Sequence, residues 1–400
     1  MEVLYLAIVF ATIIGLMALK RPLYQAILGG ILMIIILFKI PITEAGGHVA
    51  TVVTTWSSIS VVVAFYLITF FQRVLSAREQ MKLAQADLNG IFHNRRINTA
   101  GSAIFIGLLP AAAAMVLCSD IVKGASDGYL NKKEQAFVTS WVRHVPESIL
   151  PTYTGVLLML NLSGVETSSY IFGMLIPVVM LLMIGYFACL RKIPKDPGTP
   201  KSTNKLKDVV NLFKHLWSLM LVVLLILAFK VQVVWAVLIV IVLCVLVYRL
   251  KWSEIKPMFK SAIEAKLLLN TFLVLVLKQF ISSTGVLALL PDLMQKLPLP
   301  TYLIFALLFF IVTIISGSAG AIAMGVPLAF AAMPVTTPLV CYLMSIVHAA
   351  SQIGPTHTCL MVAAEYYDIT IGELIRKTIP YVLIFCALMT VYYNIWSMLC

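Results

Sequence analysis

His348-Ala-Ala-Ser-Gln-Ile-Gly-Pro-Thr-His-Thr-Cys-Leu-Met361 has a counterpart 204 residues earlier, His144-Val-Pro-Glu-Ser-Ile-Leu-Pro-Thr-Tyr-Thr-Gly-Val-Leu157. At that one offset His144 matches His348 and Ile149 matches Ile353, while Pro151, Thr152, Tyr153 and Thr154 face Pro355, Thr356, His357 and Thr358. Each copy interrupts an apolar run with proline and two hydroxyls. In a bilayer such a break frees backbone groups that lipid cannot satisfy, so it is tolerated only where protein or a water-filled cavity covers it. Paired breaks in corresponding halves point to a binding site.

Outward from the pair, the chain is 61% hydrophobic and 12% charged, with a mean hydropathy of +1.00. A soluble domain carries about a quarter charged residues, so this is a polytopic membrane protein. The net charge of +12 does not mark a nucleic-acid binder, because the basic residues sit in short segments between apolar runs. The first residues, Met-Glu-Val-Leu-Tyr, carry no positive region ahead of the first apolar run, which is therefore expected to be a retained span. The seven cysteines are scattered without a C-x-x-C pair.

Runs long enough to cross about 30 Å of hydrocarbon fall near 3–19, 22–40, 58–75 and 169–190. Between the last two, residues 99–122 are broken by Pro110 and four alanines, which suggests a re-entrant hairpin with its tip near Pro110 to Met115. The interrupted span 136–163 follows. Beyond a hydrophilic linker the order repeats: runs at 212–229, 231–249 and 266–283, a broken stretch at 301–333, the second interrupted span and a last run at 378–399. Leu19-Lys20 faces Phe229-Lys230 and Phe38-Lys39 faces Tyr248-Arg249 at an offset of 210, drifting to 203 for Pro177 and Pro380. The expected organisation is repeat 1 over 1–190, a cytoplasmic linker over 191–208, and repeat 2 over 209–400. Five crossings per half, an odd number, would set the copies upside down to one another. The fold class expected is thus all-α, with about ten transmembrane helices and two re-entrant hairpins in two inverted repeats. Of the 29 Lys and Arg, 24 fall on the side that holds the linker. By the positive-inside rule that side is cytoplasmic and both termini face out.

This layout resembles the ion transporter superfamily, which includes divalent anion/sodium symporters, gluconate-type permeases and the large membrane subunit of TRAP transporters. The run Gly354-Pro-Thr-His-Thr-Cys-Leu360, followed by Glu365-Tyr366-Tyr367, is similar to a Ser-Pro-x-His-x-Cys-Leu pattern in the branch named domain of unknown function 401. The resemblance implies a homodimer in which a fixed scaffold carries a transport domain that moves as an elevator. In the sodium-coupled relatives the hairpin tips carry Ser-Asn-Thr. Here the tips are Ser316-Gly317-Ser318-Ala319-Gly320 and Pro110 with alanines, and neither has the asparagine.

The candidate substrate-binding residues are Pro151, Thr152, Tyr153, Thr154, Ser316, Gly317, Ser318, Gly320, Pro355, Thr356, His357 and Thr358. The threonines offer hydroxyls where following half-helices would point partial positive charge at an anion; the alternative is that they satisfy their own backbone at a kink. Glycines at a tip let backbone N–H groups approach a ligand, or let helices pack closely. Glu147 and His357 are the coupling candidates, Glu147 for a proton or cation, with a salt bridge to Arg143 four residues earlier as the alternative. His144 and His348 lie further from the breaks and are expected to be structural.

These readings converge on a secondary active transporter of a small organic anion, a carboxylate, in the cell inner membrane. Coupling is to protons or sodium, and no cofactor is expected; whether a metal binds is left open. A cation/proton antiporter on the same architecture is the alternative. No H-E-x-x-H, G-x-S-x-G or G-x-x-x-x-G-K-[ST] motif argues for an enzyme or an ATP-driven pump. If the charge asymmetry sets orientation, protease added at the cytoplasmic face cuts within 191–208, and a tag after Cys400 is labelled only from outside; a tag labelled from inside overturns the inverted count.

Overall fold

The structure, a computed structural model, describes residues 1–108, 112–198, 202–294, 296, 298–355 and 357–399, without the side chains of 81, 85 and 112–114. Among the described residues every regular element is helical. The first half runs α1 (Glu2–Ala18), α2 (Leu23–Leu37), α3 (Ile42–Thr54), α4 (Trp56–Ala77), α5 (Gln80–Ile91), α6 (Arg95–Gly107), α7 (Ala112–Ser126), α8 (Lys132–Arg143), α9 (Val145–Ile149), α10 (Thr154–Ser163) and α11 (Thr167–Ala188). The second runs α12 (Lys205–Leu227), α13 (Val233–Val247), α14 (Trp252–Ser261), α15 (Ala265–Ser283), α16 (Leu290–Met294), α17 (Thr301–Ala332), α18 (Thr337–Ser351), α19 (Thr358–Tyr366) and α20 (Ile371–Leu399).

The chain is a multi-pass membrane protein. Helices α4, α11, α12, α15, α17 and α20 are long and apolar enough to cross a bilayer, and α1, α2, α13 and α18 are shorter apolar helices. Of the short ones, α1, α2 and α13 stop where the backbone turns left-handed. Lys20 and Lys39 end the turns after α1 and α2 at φ 61° and 54°, leaving helices of 17 and 15 residues, the second shorter than its apolar run over 22–40. Non-glycine residues rarely adopt this conformation. Eight of the eleven left-handed positions among the described residues nevertheless fall into pairs: Lys20 with Lys230, Lys39 with Arg249, Glu79 with Gly285, and Gly164 with Asp368. Their separations are 210, 210, 206 and 204.

Two regions depart from simple spans. α6 and α7 pack on one another, and residues 109–111 of the expected first tip lie outside the described residues. α17 contains Gly317 at φ 78°, ψ 171°, a conformation open to glycine and closed to a helix. There the chain folds back, because a Cβ added to Gly325 would collide with the ring of Phe309. In a straight helix those two residues would stand about 24 Å apart.

The most enclosed elements are α8, in which every residue from Glu134 to Arg143 is buried, and α18, buried from Pro338 to Ser351. α18 packs on α17, α20 and α11, while α8 packs on α6, α7 and α20. Asn131 and Glu134 form a capping box that starts α8. Glu134 also pairs with Lys192 at 2.5 Å and Lys377 at 3.7 Å, joining the linker and α20 to α8. Burial opposes ionisation of Glu134, but the Lys192 hydrogen bond, the Asn131 backbone N–H and the charges of Lys192 and Lys377 together outweigh it and hold the carboxyl below its ordinary value. The fold-back of α17 leaves no room at its inner contact, so Gly325→Leu should destabilise the protein by about 1–3 kcal/mol, read as a lowered Tm, with part of the loss recovered by adding Phe309→Ala.

Candidate functional site

Both interrupted spans break as their prolines require. After α9 the backbone turns extended at Leu150, and Pro151–Tyr153 form a turn before α10. α18 ends at Ser351, and the chain re-enters helix only at Thr358. The half-helices α10 and α19 begin alike: Tyr153 and His357 are their N-caps, Thr154 and Thr358 their first residues, and neither cap side chain bonds the helix N–H groups. The carbonyl of Ser148, next to the first break, accepts a hydrogen bond from the hydroxyl of Tyr170 at 2.5 Å. Tyr367 ties the second half-helix to the first half of the chain, meeting Thr139 at 2.8 Å and the Ser119 carbonyl at 2.9 Å.

A cavity of about 400 Å³ lies where these parts meet. Its lining takes Arg143 and Glu147 from the first interrupted span, and Tyr153, Thr154 and Gly155 from the start of α10. Ser318 and Ala319 come from the fold-back in α17, Met344, His348 and Ser351 from α18, and Thr358 and Cys359 from the start of α19. The volume falls in the range of small-molecule sites. Two half-helix N-termini, which carry partial positive charge, therefore open on one space.

Glu147 Oε1 stands 3.7 Å from Arg143 Nη1 and 3.8 Å from His144 Nε2, so the ion pair expected as the alternative for Glu147 is present. Arg143 is fully buried, and its Nη1 also meets His144 Nε2 at 3.3 Å and Cys359 Sγ at 3.6 Å. The His357 ring donates Nδ1–H to the Ser351 carbonyl at 3.0 Å and lies 4.6 Å from the His144 ring.

Of the residues singled out in the sequence, Tyr153, Thr154, Ser318, Thr358 and Glu147 meet at the cavity. Pro151, Thr152, Ser316, Gly317, Gly320, Pro355 and His357 are outside its lining, and Thr356 lies outside the described residues. Ser316 turns back to bond the Val312 carbonyl at 2.8 Å, and Gly317 makes the bend that presents Ser318. His348, expected to be structural, lines the cavity instead. The signal for it was present: Met344, His348 and Ser351 follow one another at spacings of four and three, a single face of a helix. Arg143 and Glu147 share a face by the same rule. Cys359 had no such facial signal; the sequence marked it only as the cysteine of the Ser-Pro-x-His-x-Cys-Leu pattern.

A family model described as protein of unknown function (DUF401) matches residues 3–396. The chain belongs to the DUF401 family. Among solved structures it is similar to the YdaH transporter of Alcanivorax borkumensis, whose crystal structure is described as revealing an unusual topology. The likeness covers 87% of each chain with a TM-score of 0.61 at 13% identity, and it shows a shared fold. No curated protein matches.

Removing one first-turn hydroxyl from each half-helix tests whether the cavity is a binding site. Thr154→Val and Thr358→Val should each weaken binding of an anionic ligand by about 1.5–3 kcal/mol while Tm stays within a few degrees of wild type; unchanged binding in both would confine these threonines to the kinks.

Proposed function

We propose that this DUF401 protein is a secondary active transporter of a small organic anion, a carboxylate, and not an enzyme. One observation carries the reading: two half-helix N-termini, the fold-back of α17 and the buried Arg143 all border one cavity. The shared fold with a transporter is consistent with it. On this reading the chain belongs to the ion transporter superfamily and sits in the cell inner membrane as a homodimer. Its two repeats are inverted, its fold-backs at α6–α7 and α17 are re-entrant, and its transport domain moves as an elevator. The paired left-handed residues support the duplication, since each pair ends or starts matching helices at the drifting offset seen in the sequence.

Charge suggests how coupling works. Arg143 and Glu147 offset one another, so a bound monoanion leaves one negative charge uncompensated inside the protein, where that is costly. A proton taken up with the anion restores the balance. His357 is placed for it: beside His144, next in the chain to Thr358 and Cys359 of the cavity lining, and with His348, Glu147 and Arg143 as the other ionisable groups nearby. The antiporter alternative would put the exchanging proton on Glu147.

A thermal-shift series of mono-, di- and tricarboxylates, with and without sodium, tests the substrate class, because ligand binding raises apparent stability by mass action. A response to metal ions alone would favour the antiporter. For coupling, uptake should rise as pH falls through the imidazole range, near an unperturbed value of about 6.5, and persist without sodium. His357→Gln keeps a donor and an acceptor but cannot titrate, so it should flatten that profile; a mutant with the full pH dependence, or a wild type silent without sodium, would falsify proton coupling at His357.

A further inference from the structure

The surroundings of Arg143 have the make-up of a cation site. His144 donates its Nδ1–H to the Ser140 carbonyl at 2.6 Å, which leaves Nε2 of the neutral ring as a bare acceptor. His357 is held the same way by the Ser351 carbonyl. This is the pattern by which metal-binding imidazoles are oriented: one ring nitrogen fixed by a backbone carbonyl, the other presented to the ion. With Cys359, the two histidines offer three ligand atoms within 4.8 Å of one another. Imidazole and thiolate together suit soft transition metals.

A guanidinium nitrogen stands at this cluster. Arg143 Nη1 is 3.3 Å from His144 Nε2, 3.6 Å from Cys359 Sγ and 3.7 Å from Glu147 Oε1. We propose that Arg143 is a tethered cation, filling a site that would otherwise take a free metal ion. The proposal rests on reading the cavity as an anion site, and it names where that site's permanent positive charge comes from. A guanidinium keeps its charge at any physiological pH and cannot diffuse away. The cavity therefore keeps a fixed cationic group through a transport cycle without recruiting a metal ion from either side of the membrane. Glu147, 3.7 Å away, is its standing counter-charge.

The consequence is a latent metal site, exposed by shortening one side chain. Cd²⁺ titrated calorimetrically into the purified full-length protein should find no site in wild type and one site in Arg143→Ser. Adding Cys359→Ser to that variant removes a ligand and should weaken the new site by at least the roughly 10- to 100-fold that losing an outer-shell partner costs. Wild-type protein that binds one Cd²⁺ in a Cys359-dependent way overturns the proposal. So does an Arg143→Ser variant that melts like wild type and gains no site. If Arg143→Ser does not fold, the wild-type titration decides alone: no Cys359-dependent site supports the tethered cation, and such a site refutes it. No carboxylate is present in these titrations, so their outcome is independent of the thermal-shift series that tests the transport reading.

Discussion

The structure depends on one constraint: peptide groups at membrane depth must find partners within the protein. Breaking a helix twice in such a chain is expensive unless the breaks are covered. The fold covers them by enclosing α8 and α18 almost completely, an arrangement suited to helices that are not simple lipid-facing spans. Tyr170 reaches from α11 to the carbonyl of Ser148, and the His357 side chain turns back to the carbonyl of Ser351. The polar side chains near the breaks thus serve the backbone first. What remains open to the cavity is the start of each half-helix, where N–H groups have no side-chain cap.

That arrangement gives the cavity its electrostatic character. Two helix termini and a buried guanidinium would make a strongly positive space, and Glu147 moderates it from 3.7 Å. The pair is partly desolvated, so neither member can be removed without leaving the other exposed to a low-dielectric interior. Glu147 faces the cavity and keeps lone pairs for a proton or a ligand donor. Around this centre, contacts distant in sequence fix the geometry: Tyr367 spans from α19 to Thr139 and Ser119, and Cys359 meets Arg143 across 216 residues.

The bend in α17 shows how little chemistry is needed to shape such a site. Gly317 alone leaves helical geometry within a stretch of 32 residues, and that one residue turns the chain back so that Ser318 and Ala319 reach the cavity. The small side chain of Gly325 then lets the second arm lie against Phe309. A strand of apolar residues that would otherwise read as one overlong span becomes a hairpin because two glycines permit it.

The sequence by itself determined the class of the protein, the two breaks and the family, because each rests on local composition or on an ungapped match. Hydropathy alone separates lipid from water, proline next to paired hydroxyls in the middle of an apolar run marks a break, and the Gly354 to Leu360 run carried the resemblance that the DUF401 match bore out. The helix faces were also legible: the spacing of Met344, His348 and Ser351 is a local property. Which face turned inward was not. Periodicity says that residues lie on one side of a helix, and only packing against other elements says what that side meets. His348 therefore moved from a structural role to the cavity wall, His357 came beside His144 outside the lining, and Cys359 came to rest beside Arg143 through contacts between segments more than 200 positions apart. Those pairings depend on how the two halves close on one another, a three-dimensional outcome that local sequence pattern does not encode.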